Sequence, residues 1–206
     1  MWKTQRLLKS MLTIVLFLVF LAGCATVPDP PLYLNAEAPP ALPPSAEGLQ
    51  PGLAVWYFPH PLVLNLKDLP QGDQRRKEGW AGPPVPYLNH QFGRGKVFDS
   101  GTNRGIALEL NGFIRLDQPG TYGFQANSND GVRVDIGGQR LIDDASWHSD
   151  RLSREAWLTV SDPGWYALQI LYFQRRGSAT LQLYWQRPGE AAFSIVPAAE
   201  LAHRPE

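Results

Sequence analysis

The chain carries a single cysteine, Cys24, in 206 residues. An internal disulfide is therefore excluded, and the fold must be held by burial and hydrogen bonding. Charge is sparse, at 18% of residues, and balanced, with 19 Lys+Arg against 19 Asp+Glu. No basic field is available to hold nucleic acid, and no acidic run to mimic it, so a nucleic-acid partner is not expected. The apolar run Met11 to Leu21, broken only by Thr13, is shorter than the about 20 residues a membrane-spanning helix needs. Amphipathic helical periodicity is lacking after Leu21. Catalytic settings are lacking too. No GxSxG-type nucleophile is present, and His60, His90, His148 and His203 are scattered without metal-ligand spacing. An enzyme is not expected.

What is present begins with an export signal. Lys3, Arg6 and Lys9 precede the apolar run, which ends in Leu21-Ala22-Gly23-Cys24. This order resembles the lipobox of bacterial lipoproteins. The resemblance implies a signal peptide over 1–23 and lipid on Cys24. Two or more acyl chains would then hold the protein stably at a membrane of the bacterial cell envelope. Ala25, where an Asp would favour inner-membrane retention, points to the outer membrane. Pro28 to Pro51 holds eight prolines, so residues 24–51 are expected to form a Pro-rich tether reaching at most roughly 70 Å as polyproline II.

From Gly52 the pattern becomes alternation. Val132, Val134 and Ile136 share one face, with Arg133 and Asp135 opposite; Gly137-Gly138 then supply a tight turn before Leu141-Ile142. Tyr166, Leu168, Ile170 and Tyr172 alternate, as do Ala179, Leu181, Leu183 and Trp185 beyond the turn at 174–177. Ile106, Leu108 and Leu110 open a further strand that Phe113 to Leu116 continue. Trp56, Trp157 and Trp185, each in or beside such a strand, are expected in the core. Between Pro59 and Gly105, long loops with one or two short strands are expected, with Arg75-Arg76-Lys77 at a solvated tip. The fold class is all-β: an antiparallel β-sandwich or barrel.

Gly52-Leu53 with Trp56-Tyr57, then Gly112-Phe113-Ile114 with Gly120-Thr121-Tyr122-Gly123-Phe124, resemble the opening strands of the PA14 domain family. Ser128-Asn129-Asp130-Gly131-Val132-Arg133-Val134 is similar to that family's S-D-D-G-V-R-L hairpin. Gly164-Trp165-Tyr166, Tyr172-Phe173, Pro188-Gly189 and Ile195-Val196-Pro197 continue the match. The resemblance implies a β-sandwich over 52–202, a tail at 203–206, and a binding rather than catalytic role. In the family's lectin branch two consecutive aspartates, joined by a cis peptide, bind one Ca²⁺ that takes two sugar hydroxyls. Here the pair reads Asn129-Asp130. It is either a weakened Ca²⁺ site or a turn capped by the Asp130 side chain. Asp143, Asp144 and Trp147 form a second polar cluster, read either as ligand-binding or as a solvated loop with Trp147 tucked onto the sandwich. Two functions follow: a carbohydrate-binding or envelope-adhesion module, or a lipoprotein that docks onto an envelope protein.

Overall fold

The structure, a computed structural model, describes residues 29–205. Cys24 and the signal segment lie outside the described residues. Along the described chain the strands are β1 (Leu32–Asn35), β2 (Gln50–Pro51), β3 (Leu53–Pro59), β4 (Trp80–Val85), β5 (Asn89–Gly93), β6 (Ile106–Leu116), β7 (Gly120–Asn129), β8 (Val132–Ile136), β9 (Gln139–Asp144), β10 (Arg151–Leu152), β11 (Ala156–Val160), β12 (Gly164–Gln174), β13 (Ala179–Gln186), β14 (Ser194–Ile195) and β15 (Leu201–His203). One seven-stranded sheet runs β1-β11-β7-β13-β14, with β10 on β7 and β5 on β13. The other, eight-stranded, runs β2-β15-β6-β12-β8-β9, with β3 between β4 and β6. Every pairing is antiparallel except β1 on β11.

The alternation places one core between the two sheets. Tyr122, Phe124, Leu158, Leu181, Leu183 and Trp185 face Leu108, Leu110, Ile114, Val134, Leu168 and Ile170 across it. Each such apolar side chain stabilises the fold by about 1.5–3 kcal/mol relative to exposure. Gly137 and Gly138 turn β8 into β9 with φ of 60° and 81°, backbone values that disfavour any residue with a Cβ.

Four expectations change. Residues 28–51 do not form a free tether across their described part. Pro30-Pro31 and Pro39-Pro40 flank a proline-free window, and Leu32–Asn35 in that window adds an edge strand to β11. Leu32 N–H donates to Glu155 O at 2.9 Å and Ala36 N–H to Thr159 O at 2.8 Å. Leu42 bridges Trp165, and Gln50–Pro51 pairs with β15. An edge strand needs only one ladder of donors, so flanking prolines cost it little. Trp185 is core, but Trp56 and Trp157 are half-buried on outer faces, because Val55 and Tyr57, and Ala156 and Leu158, take the inward positions. Arg75 is no loop tip: it lies in α1 (Gly72–Glu78), stacked 4.8 Å from the Phe58 ring and 2.9 Å from Glu109. His203 belongs to the domain rather than the tail, buried with its ring 3.0 Å from Gly52 O.

Candidate functional site

β7 ends at Asn129, and a two-residue corner, Asp130-Gly131, passes the chain from the seven-stranded sheet into β8 of the other. The Asn129–Asp130 peptide is cis. Gly131 is required by space: a Cβ there would fall 2.6 Å from the Phe173 ring and 2.8 Å from Ala145 O. Asp130 N–H donates to Phe173 O at 3.3 Å, and Phe173 N–H to Gly131 O at 3.1 Å. The buried Tyr172 hydroxyl donates to Asn129 O. The corner is therefore clamped to β12 through its backbone, and its side chains are left to point at the loop end of the sandwich.

Those side chains meet the β12–β13 hairpin and the loop after β9. Asn129 Nδ2 donates to Asp150 Oδ1 at 2.8 Å and to Ser178 Oγ at 3.2 Å. Asp130 is 1% exposed. Its Oδ2 accepts the Arg175 backbone N–H at 2.6 Å, and its Oδ1 has no hydrogen-bond partner. Burial pushes the Asp130 carboxyl above its ordinary value, against the opposing pull of the Arg175 backbone N–H and of the nearby His148. Arg175 Nε donates to Leu62 O at 3.2 Å, and its guanidinium lies 5.6 Å from the Trp147 ring. Trp147 is itself held by its backbone N–H, which donates to Leu64 O at 2.7 Å, yet the residue stands 54% exposed.

Asp144 closes the same end. His148 Nε2 lies 3.2 Å from its Oδ2, and Arg151 pairs with it from the next strand. Burial works to raise this carboxyl, but the facing His148 imidazole and the Arg151 hydrogen bonds outweigh it and hold it at about 2. Asn129, Asp130, Asp144 and Trp147 thus come together. Asp143 does not: alternation along β9 turns it to the outer face of the eight-stranded sheet, 3.3 Å from Arg133 and 4.0 Å from Arg140. Asp150 joins the site from the end of the same polar segment 143–150, and Ser178 and Arg175 join it from positions that no local sequence pattern marks. A groove of about 280 Å³ lies elsewhere, under α1 on the eight-stranded sheet. Its charges are largely paired, Arg75 with Glu109 and Arg140 with Asp135.

The atom at this corner that could take a hard cation is Asp130 Oδ1, a buried carboxylate oxygen without a donor, while the Asn129 amide nitrogen is turned to Asp150 and Ser178. Among the described residues no three His, Cys, Asp or Glu side chains converge as a cage. A Ca²⁺ ion wants six to eight oxygens, so most of its shell here would come from backbone, water or ligand.

No curated protein matches the sequence. Among solved structures, an anti-sigma factor domain-containing protein from Clostridium clariflavum is 19% identical, with 76% of this chain and 48% of that chain covered and a TM-score of 0.58. This chain thus spans about half the length of that protein. The PA14 domain of the MpAFP antifreeze protein is 18% identical over 77% of this chain and 94% of that one, with a TM-score of 0.60. The Epithelial Adhesin 9 A domain of Candida glabrata, in complex with Galb1-3GlcNAc, is 10% identical over 81% and 95%, with a TM-score of 0.59. These likenesses show the fold. The model of the PA14 domain matches residues 89–199, more than half of the chain, and with the two-sheet sandwich and the Asn129–Asp130 corner in place the chain belongs to the PA14 domain family.

Proposed function

We propose that this chain is a non-catalytic carbohydrate-binding module that takes sugar hydroxyls at the Asn129–Asp130 end of the sandwich and is held at a bacterial envelope membrane by lipid on Cys24. The observation that carries the binding reading is the orphaned Asp130 Oδ1 in a residue 1% exposed. An unsatisfied buried acceptor costs about 1–3 kcal/mol. A hydroxyl, water or cation brought by a ligand offsets that cost, so binding is favoured where folding is not. The solved relative bound to Galb1-3GlcNAc supports the ligand class.

The roles follow from the geometry. Arg175 N–H and the Tyr172 hydroxyl fix the corner, and Asp150 and Ser178 orient the Asn129 amide. Trp147 offers an exposed ring face, braced by Arg175, on which the apolar face of a sugar can stack. Asn129 and Asp130 would hold Ca²⁺, which when bound supplies a charged centre for vicinal hydroxyls. Its affinity is expected to be weak, because position 129 supplies an amide where the lectin pair has a second carboxylate.

The anchor reading rests on the basic, apolar and Leu-Ala-Gly-Cys order of residues 3–24, and Ala25 favours the outer membrane. Because Leu32 already lies in the sheet, the chain from Cys24 spans at most roughly 30 Å at about 3.3–3.6 Å per residue. That is less than half the reach of the tether expected from sequence, and it keeps the module close to the bilayer.

A glycan array with and without Ca²⁺, using the parent and Asp130→Asn, tests the binding reading. Selective glycan signal that Asp130→Asn abolishes with the fold retained supports it. No glycan signal, with a discrete envelope protein captured from membranes instead, overturns it in favour of docking.

A further inference from the structure

The outer face of the seven-stranded sheet carries a second feature. Strands β1, β7, β11 and β13 contain no Asp, Glu, Lys or Arg at any position. Tyr33, Trp157 and Gly123 stand side by side in one register row across this face. The Tyr33 and Trp157 ring centroids are 6.4 Å apart with planes within 12°. Phe193 flanks Trp157 at 5.7 Å, tilted by 58°.

Gly123 makes this arrangement possible. A Cβ there would fall 2.8 Å from Trp157 Cζ3 and 2.9 Å from Phe193 Cζ, so the missing side chain lets both rings lie down on the sheet. Trp157 Nε1 donates to Glu155 Oε2 at 3.2 Å, which sets the indole and occupies the nearest carboxylate. Tyr33 is 71% exposed, more than any other large apolar side chain among the described residues. A single exposed tyrosine needs no explanation. Two parallel rings and a tilted third, seated over a glycine, form a preset surface.

Higher on the same face the side chains are amides. Asn127 Nδ2 donates to Gln182 Oε1 at 2.9 Å, and Gln182 Nε2 donates to Asn89 Oδ1 at 2.6 Å, across β7, β13 and β5. Gln182 is itself buried, so it fixes the half-buried Asn127 and the exposed Asn89 as preset hydrogen-bonding groups for hydroxyls. Along β7 the rows lead from Gly123 to Asn129, about 20 Å at ~3.3 Å per residue.

We propose that this face is a second, Ca²⁺-independent binding surface for an uncharged polysaccharide chain, whose flat pyranose faces stack on Tyr33 and Trp157 and whose hydroxyls meet the amide rows. These four strands bring no charged side chain to the face, the Glu155 carboxylate beside Trp157 is already hydrogen-bonded, and Arg151 of β10 is paired with Asp144, which matches a neutral polymer and disfavours an acidic glycan, a nucleic acid or an anionic lipid surface. The proposal shares its ligand class with the proposed function and none of its residues.

The test is retention of the domain on insoluble cellulose, chitin and β-1,3-glucan in EDTA, with soluble alginate as the charged comparison. Tyr33→Ser, Trp157→Ala and Asp130→Asn are compared with the parent, each checked for a native near-UV spectrum. Tyr33→Ser is the decisive variant, because its side chain is too exposed to matter for folding. Expected is retention on at least one neutral polymer in EDTA, none on alginate, and affinity reduced roughly five- to tenfold by losing one stacked ring. Asp130→Asn should bind in EDTA like the parent. Retention on none of the polymers overturns the platform, as does parental binding by Tyr33→Ser. If binding needs Ca²⁺ and falls only in Asp130→Asn, the platform is wrong and the loop site stands. If Tyr33→Ser loses binding and Asp130→Asn does not, the platform stands alone.

Discussion

Replacing Asp144 by Asn should loosen the loop that carries Trp147, by an amount the charge pairing sets. Burial alone would raise the Asp144 carboxyl, but His148 and Arg151 hold it at about 2 against an ordinary 3.8. At about 1.4 kcal/mol per pH unit, ionised Asp144 contributes about 2 kcal/mol to folding. The carboxylate is 13% exposed, so solvent screening removes little of that. A depressed folded value means the contribution is fully present above the ordinary carboxylate range and is lost as pH falls from about 4 through about 2. Asp144→Asn is therefore expected to be less stable by about 2 kcal/mol in urea at pH 7. Its Tm should fall by roughly 4–8 °C for a domain of this size. As the pH is lowered from 4 to 2 the gap between variant and parent should close. A gap absent at pH 7, or one undiminished at pH 2, would refute the assignment of the stabilisation to the His148–Asp144–Arg151 contacts.

Asp130 should show the opposite sign. Its carboxyl is raised by burial, so its contribution is fully favourable below the ordinary carboxylate range and declines as pH rises through the raised value; the stability difference between parent and Asp130→Asn, followed by urea titration from pH 3 to 8, should move in the variant's favour as pH increases. Millimolar Ca²⁺ should raise the parent's Tm and leave that of Asp130→Asn unchanged. Gly131→Ala drives a methyl into Phe173 and Ala145 O and should cost about 1–3 kcal/mol in denaturant titration. The Leu32 and Ala36 amides, bonded to β11, should be protected in hydrogen exchange; a free spacer would exchange at the random-coil rate. Cys24→Ser should move the protein from the membrane to the soluble fraction and abolish palmitate labelling.

Much of the sandwich was legible from local pattern. The alternation in 106–116, 132–136, 166–172 and 179–185 assigned the inward faces correctly, and Gly137-Gly138 marked the hairpin, because period-two burial and positive φ are properties of neighbouring residues. The same logic misplaced Trp157. Parity along Ala156-Trp157-Leu158 turns it outward, but a tryptophan beside an alternating strand reads first as core. Residues 28–51 misled for a different reason. Proline content argues against helix and central strand, yet says nothing of a four-residue edge strand fitted between prolines. The site was half legible. Asn129-Asp130 stood out through the family hairpin, whereas Asp150 and Ser178 became partners of Asn129 only through contacts 21 and 49 residues apart.

By itself the sequence determined the fold class, the alternation that buries one face of each strand, and the family hairpin at 128–134. These rest on near-neighbour chemistry: periodicity and turn residues. Tertiary structure alone decided which carboxylates meet. It set Asp144 beside His148 and Arg151 and turned Asp143 away to Arg133. It buried Asp130 with one oxygen unpaired, and it laid Tyr33, from a segment that reads as spacer, parallel to Trp157 over Gly123. Such pairings depend on strand register and on which loops close over which ends. Those are settled by packing the two sheets on one another, at sequence separations that no local pattern reaches.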